Sequence, residues 1–385
     1  MRTSVACRVL RNTVLALGVT ALAGCSMFAT KNPRYEPAPL TEYAAGISAH
    51  VAWSTGVGSG GGYGFIPVVS GDSVYAAAPG GSVIKVDLAS GRMQWQANAK
   101  TPLSAGAGSD GHTTAVAAPD GTVVAFDERG AEKWRAKATS EVNIPPVVGG
   151  GVVAVRSSDY RIQAFDAATG RLIWNIQRPG PALALKTNMQ MVVAEGLLIS
   201  GLPNGKLIAI NARNGAVQWE GTVAVSQGPT DLERISDVVG TPQLQGPLLC
   251  GVAYQGRMAC FDVSQGGRLV WQQNFSSSTG MTTDSQQAYA SDDRGVVHAF
   301  SLSDGHPLWK QEALRNRRLS VPAVTPQGVA VGDLDGFVHF LSRTDGHLLG
   351  RVQVGGGPIK SALVATNRGV LVQTGGGNLV LIGVN

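Results

Sequence analysis

Four cysteines, six histidines and several closely spaced acidic residues are the side chains in this sequence with the means to do chemistry. Cys250 and Cys260 stand ten residues apart, without CxxC spacing or suitable histidine partners, so they do not read as a zinc site. They flank the turn at Tyr254–Arg257 at similar distances, which leaves a bridge between them open. The preferred reading is two buried thiols used as small apolar side chains. The histidines at 50, 112, 298, 306, 339 and 347 are scattered, and neither HExxH nor GxSxG occurs. Asp292-Asp293 and Asp333-x-Asp335 could hold a cation, but they lack EF-hand spacing and fall where the chain turns, so local side-chain to backbone bonding accounts for them. The densest basic spot, Arg315-Asn316-Arg317-Arg318, reads as a solvated loop, and no block of five or six like charges exists.

Cys25 has a context of its own. Arg2, Arg8 and Arg11 precede an apolar run, Thr13 to Ala23, that is shorter than the roughly 20 residues a membrane-spanning helix needs. It has the length and flanks of a signal peptide. Leu22-Ala23-Gly24-Cys25 resembles the lipobox of bacterial lipoproteins, in which the cysteine becomes the acylated N-terminus. That resemblance implies a leader of residues 1–24 and lipidation at Cys25. With Ser26 rather than Asp following, it also implies the outer membrane, on its periplasmic face. An oxidising periplasm permits a disulfide. Residues 25–45, with prolines at 33, 37 and 39, read as a flexible tether. Loss of the three leader arginines lowers the formal charge from +5 to +2, which is no footprint for nucleic acid.

The elements that would position any site come from a repeat. GSVIKVDLASGRMQW (81–95), GTVVAFDERGAEKW (121–134), YRIQAFDAATGRLIW (160–174), GKLIAINARNGAVQW (205–219), GRMACFDVSQGGRLVW (256–271), GVVHAFSLSDGHPLW (295–309) and GFVHFLSRTDGHLLG (336–350) are variants of one segment. Each is an alternating β-branched strand, a turn containing Gly, and a second strand that closes on Trp in all but the last copy, which ends on Gly350. Two further apolar runs precede each copy, which makes four short strands per repeat. Trp53, Trp95, Trp134, Trp174, Trp219, Trp271 and Trp309 recur at intervals of 38 to 52 residues, the length of a propeller blade. An eighth copy begins at Gly377 and lacks its last strand, whereas SAHVAWSTG (48–56) looks like a last strand without partners. Together they would complete one blade and close the ring. The expectation is an all-β, eight-bladed β-propeller over residues 46–385, with four-stranded antiparallel blades and the ring closed by the N-terminal strand.

The segment from Ala164 to Trp174 resembles the quinoprotein blade motif, in which the Trp packs between neighbouring blades. The tryptophans are therefore structural. The repeated Asp87, Asp127, Asp166 and Asp262 would order their own turns. A pyrroloquinoline-quinone dehydrogenase is one function class, but eight short blades leave no length for the inserts that build its cofactor site. A periplasmic ligand-binding propeller is another, and it would need ionisable groups converging on the channel. The third is a non-catalytic protein-binding scaffold with no cofactor and no metal. The third is favoured because two connections break the tight repeat: PGPALALKTN (179–188) and SQGPTDLERISDVVG (226–240).

A lipobox, a tether and eight such blades resemble the BamB family, the propeller lipoproteins of the outer-membrane β-barrel assembly (BAM) machinery. Pro181-Ala182-Leu183-Ala184-Leu185-Lys186 resembles the family's Pro-Ser-Leu-Ser-Leu-Arg loop, and Asp231 to Val238 resembles its Asp-Arg-Leu-Ser-Asp-Val segment. In that family these loops contact the periplasmic POTRA domains of BamA, the barrel-forming subunit. The resemblance implies docking by Leu183, Leu185 and Lys186, with Arg234 and Asp237 alongside. It also implies other BAM lipoproteins and unfolded outer-membrane precursors as partners. Lys186 stands where the family has Arg, which replaces a planar fork with a point charge. Val239 stands where the family often has a second Asp.

Overall fold

The computed structural model describes residues 33–385, so residues 1–24, read above as a leader, and Cys25 lie outside the described residues. Residues 33–38 contain one short 3-10 turn, Pro33–Tyr35. The chain from Pro39 to Asn385 forms one unit of eight four-stranded antiparallel sheets, the expected propeller. Blades 1 to 7 follow in chain order over residues 68–98, 105–137, 147–177, 191–222, 238–274, 281–311 and 323–353. Blade 8 joins residues 364–384 to Ala49–Gly56, which pairs antiparallel with Asn378–Val384 from Ala49 opposite Val384 to Gly56 opposite Asn378. The N-terminal strand thus closes the ring and removes the two edges an open array would leave.

Burial follows position in the blade. Strands two and three lie between neighbouring sheets, and in blade 3 Val152–Arg156 and Arg161–Asp166 are buried almost end to end. Both faces are covered, so these strands are continuously apolar rather than alternating. The outer strand Leu172–Gln177 alternates, with Trp174 turned inward.

The tryptophans pack as expected, and they also explain the turn glycines. Each indole lies over the glycine in the hairpin of the next blade. A Cβ added to Gly170 would come within 2.6 Å of the Trp134 ring, and one on Gly305 within 2.4 Å of Trp271. Gly91, Gly130, Gly215, Gly267 and Gly346 lie in the same way under Trp53, Trp95, Trp174, Trp219 and Trp309. The indole Nε1 of Trp134, Trp174, Trp271 and Trp309 donates to a main-chain carbonyl of that next turn at 2.7–3.1 Å. Trp53 makes the same bond to Leu88 across the ring closure. The repeated aspartates order their own turns: Asp166 Oδ1 accepts from the amides of Ala168 and Thr169.

Blade 7 carries Gly350 in place of Trp. The blade it faces has no hairpin for an indole to cover, because its outer strand arrives from the N-terminus. Ile47 takes the space instead, 2.9 Å from where a Gly350 Cβ would stand. The amides of Gly46 and Ile47 bond the Leu349 carbonyl. Part of the segment read as tether is also held: Arg351 donates to the Thr41 carbonyl at 2.8 Å and to Glu42 at 2.7 Å, and Leu40 packs on the blade-7 core.

Two readings are corrected. Cys250 and Cys260 are not free thiols; they face each other on paired strands of blade 5, with Cα atoms 4.1 Å apart, and form a disulfide. Arg317 is not solvated. It is buried, and its guanidinium bonds Asp333 at 2.8 Å and Asp335 at 2.5 Å. Asp333 also meets His339 at 2.9 Å inside the blade. Burial pushes the Asp333 carboxyl up, but His339, the Phe337 amide and Arg317 outweigh it and hold it below the usual range. The carboxylates singled out as a candidate cation site are therefore engaged in turns and ion pairs. Among the described residues no cluster of His, Cys, Asp and Glu has the arrangement of a metal site.

Candidate functional site: the loops between blades 3, 4 and 5

In antiparallel four-stranded blades, the connection from an outer strand to the next inner strand lies on the same face as the turns between strands two and three. Both irregular insertions therefore open on one face. They are the connections from blade 3 to blade 4 and from blade 4 to blade 5.

The structure ties them together. Asp237 Oδ2 accepts the Leu185 amide at 2.5 Å, and the Tyr254 amide bonds the Asp237 carbonyl at 2.9 Å. Asp237 is wholly buried, so its carboxylate braces the two loops from beneath and offers no docking surface. Burial pushes this carboxyl up to about 6, against the opposing pull of the Leu185 amide and the nearby Arg156. The first loop is fixed at its start as well. Tyr160 Oη donates to the Pro181 carbonyl at 2.7 Å, and its ring fills the space beside Gly180.

Held this way, the loop splits the predicted residues into two sets. Leu183 is 42% exposed, and Lys186 is exposed. Leu185 is half-buried against the core between blades 3 and 4. Arg234 is exposed and donates through Nε to the Gly228 carbonyl at 2.9 Å, closing a turn whose tip presents Leu232, 66% exposed. Val225 is 56% exposed in the same insertion. Leu183, Leu232 and Val225 thus supply apolar surface on loops bounded by Lys186 and Arg234. Leu232 and Val225 were not singled out from the sequence, although both lie inside the flagged insertion; an exposed aliphatic side chain in a loop has no pattern that separates it from a buried one.

Beyond Leu185 the same loop crosses the ring. Thr187 Oγ1 donates to the Ser278 carbonyl, between blades 5 and 6, at 2.6 Å. Asn188 Nδ2 donates to the Lys360 carbonyl, between blades 7 and 8, at 2.7 Å, and its Oδ1 accepts from Gly64 at 3.4 Å. The blade 3–4 loop is therefore also a bar across one mouth of the central channel. Sequence gave no sign of this role.

The comparisons with known proteins bear on this arrangement. The family described as outer membrane protein assembly factor BamB matches residues 79–311. A protein of that name from Bordetella pertussis is 59% identical over 385 residues, covering 100% of both chains. Its namesake from Burkholderia pseudomallei is 39% identical, over 94% of this chain and 95% of its own. The chain belongs to the BamB family of outer membrane protein assembly factors. Family membership makes it an assembly factor and not an enzyme. The crystal structure of BamB from Moraxella catarrhalis has the same fold, with a TM-score of 0.81 at 24% identity over 87% of this chain and all of that one. The quinohemoprotein alcohol dehydrogenase of Comamonas testosteroni shares the ring at a TM-score of 0.64 and 14% identity, over 87% of this chain and 76% of that one. At that distance the likeness is one of fold alone.

Proposed function

We propose that the protein is the non-catalytic propeller subunit of an outer-membrane barrel assembly machine, docking through its blade 3–4 and 4–5 loops onto the periplasmic POTRA domains of a BamA-like barrel subunit. The observation that carries this reading is the brace between the loops. Asp237 fixes Leu185, and Leu183 and Lys186 are thereby held outward on a preorganised patch. A rigid patch loses little conformational entropy on binding. Aliphatic anchors ringed by charge suit a protein surface.

In this reading the leader ends at residue 24, a lipid on Cys25 holds the protein at the periplasmic face of the outer membrane, and the chain between lipid and ring is a tether. Other lipoproteins of the machine and unfolded barrel precursors are its further partners. Rigid presentation of the barrel subunit is its contribution; no cofactor takes part.

The test is a pull-down of tagged mature protein from detergent-solubilised outer membranes, followed by the doubly substituted Leu183→Ala, Leu185→Ala chain. Wild type is expected to recover a POTRA-bearing barrel protein. The double variant is expected to lose at least tenfold in affinity, since two apolar anchors each contribute on the order of 1 kcal/mol or more. Undiminished binding, with thermal unfolding unchanged, would remove the loops from the docking site.

A further inference from the structure

Beneath the blade 3–4 loop lies a cleft of about 240 Å³, lined by Arg156, Tyr160, Asn143, Ser158, Leu185 and Lys186 among others. Its charge is unbalanced. Arg156 ends the second strand of blade 3, Val152–Arg156. Its Nη1 donates to the Gly201 carbonyl and, at 3.4 Å, to the Ser200 hydroxyl, and its Nη2 lies 2.9 Å from the Met189 sulfur. Among the described residues no carboxylate forms an ion pair with Arg156 or with Lys186, although other basic side chains such as Arg135, Arg178 and Arg351 have one. The acid whose field reaches Arg156 is Asp237; its Oδ2 accepts the Leu185 amide and its Oδ1 is buried without a hydrogen-bond partner, so it attracts the guanidinium from a distance without bonding it. Asn143 Oδ1 is buried without a hydrogen-bond partner.

A guanidinium drawn partly out of water and given a carbonyl, a long contact to a hydroxyl and a thioether, all of them neutral, is poorly compensated. An incoming carboxylate restores what was lost, with charge-assisted bonds roughly twice as strong as neutral ones. A cationic ligand would be repelled. We propose that this cleft is a receptor for an Asp or Glu side chain of the docking partner, gripped by Arg156 on the cleft wall and guided by Lys186 at its rim. The proposal rests on the docking reading above and adds a specificity element to it. Leu183 supplies apolar contact, whereas Arg156 selects for an acid at one position of the partner. The division of labour also accounts for the tolerance of Lys at 186: a rim charge steers, for which a point charge suffices, and the fork sits inside at Arg156. The unpartnered Asn143 Oδ1 is available to accept the main-chain N–H beside that carboxylate.

The experiment measures binding of the mature protein to the POTRA region of its own organism's barrel subunit, at two salt concentrations. Arg156→Met is expected to weaken binding at least thirtyfold, the loss seen when one member of a desolvated charge pair is removed. Arg156→Lys is expected to fall between wild type and Met, and it serves alone if the Met variant fails to fold. Each Asp and Glu of the POTRA region is then changed to its amide; one such variant should lose as much as Arg156→Met, with the pair together no worse than either alone. Wild-type affinity in folded Arg156→Met or Arg156→Lys overturns the receptor while leaving the docking reading intact. Absence of binding by the wild type overturns the docking reading, and a second measurement then decides the cleft. N-acetylglutamate methylamide is titrated onto the isotopically labelled mature chain. Shifts of the Tyr160 and Leu185 amide signals, lost in Arg156→Lys, support an acid receptor; shifts absent in wild type, or equal in the variant, overturn it.

Discussion

At Gly170 two separate constraints fall on one residue. Its φ is +72°, a conformation that costs an ordinary side chain roughly 1–2 kcal/mol, and the Trp134 indole lies where a Cβ would go. Gly150, in the first hairpin of the same blade, has φ +63° with open space around its Cβ position. The pair separates the two effects. Gly150→Ala should cost only the backbone term, about 1 kcal/mol. Gly170→Ala should add overpacking against the indole, for about 2–4 kcal/mol in all. Urea unfolding of the two variants measures the difference, and equal midpoints would show that the indole gives way freely. The turn glycine was legible in the sequence as a hairpin signal. Its second duty was not, because the indole above it comes from about 36 residues earlier in the chain. Asp237 makes a residue-scale prediction of a different kind. Burial raises its folded pKa to about 6 from an ordinary value of 3.8. Between those values the folded state holds a proton that the unfolded state has released. Stability is therefore greatest below about pH 4 as far as this group is concerned, and falls as pH rises through about 6. Asp237→Asn keeps an acceptor for the Leu185 amide and cannot ionise. It should flatten the dependence of the urea midpoint on pH between 4 and 6, and raise the midpoint at pH 7.5 relative to wild type. An unchanged pH slope would mean that the carboxyl is better solvated than its burial indicates.

At the scale of elements, the blades were legible because nearly all repeat the same local instructions: short strands rich in β-branched residues, a turn with Gly, and Trp at a fixed offset in every copy but the seventh. The closing strand was legible too, since an orphan strand at one end matched a missing strand at the other. The absent tryptophan of blade 7 was visible but unexplained. The structure supplies the reason, since the eighth blade has no third-to-fourth hairpin and Ile47 fills the gap over Gly350. Restoring the repeat should therefore do harm. Gly350→Trp would meet Ile47, 2.9 Å from the new Cβ, and would displace the residues that lead into Ala49–Gly56. The expected outcome is a lower thermal midpoint and faster proteolytic cleavage within residues 44–56, with the other blades still protected. A raised midpoint would show that the position is merely an unfilled consensus site. The disulfide escaped the sequence reading for a related reason. Equal distance from a turn makes a cross-strand pair available, but register decides it, and register within a hairpin is fixed by turn geometry that composition does not reveal.

For the whole molecule, the feature least legible in advance is the bar across the channel mouth. The contacts of Thr187 and Asn188 join residues 91 and 172 positions apart, and no periodicity marks a single polar side chain that will reach across a ring. Its consequence is mechanical. Leu185, Thr187 and Asn188 are nearly consecutive, so the loop that presents the proposed docking patch is fastened at one end to Asp237 and at the other to blade connections on the far side of the propeller. A patch moored at both ends resists displacement by a load on its partner better than a loop hanging from one blade. Asn188→Ala removes the far mooring while leaving every blade's hydrogen-bond ladder in place. Hydrogen exchange should then rise at residues 62–65 and 358–362, and at the Leu185 amide, without change in the strands of blades 4 and 8. Partner binding should weaken by a modest factor, through faster dissociation, because the loop must be ordered on contact. If exchange rises at the channel mouth but Leu185 stays protected, Asp237 alone holds the patch, and the bar serves only to narrow the channel.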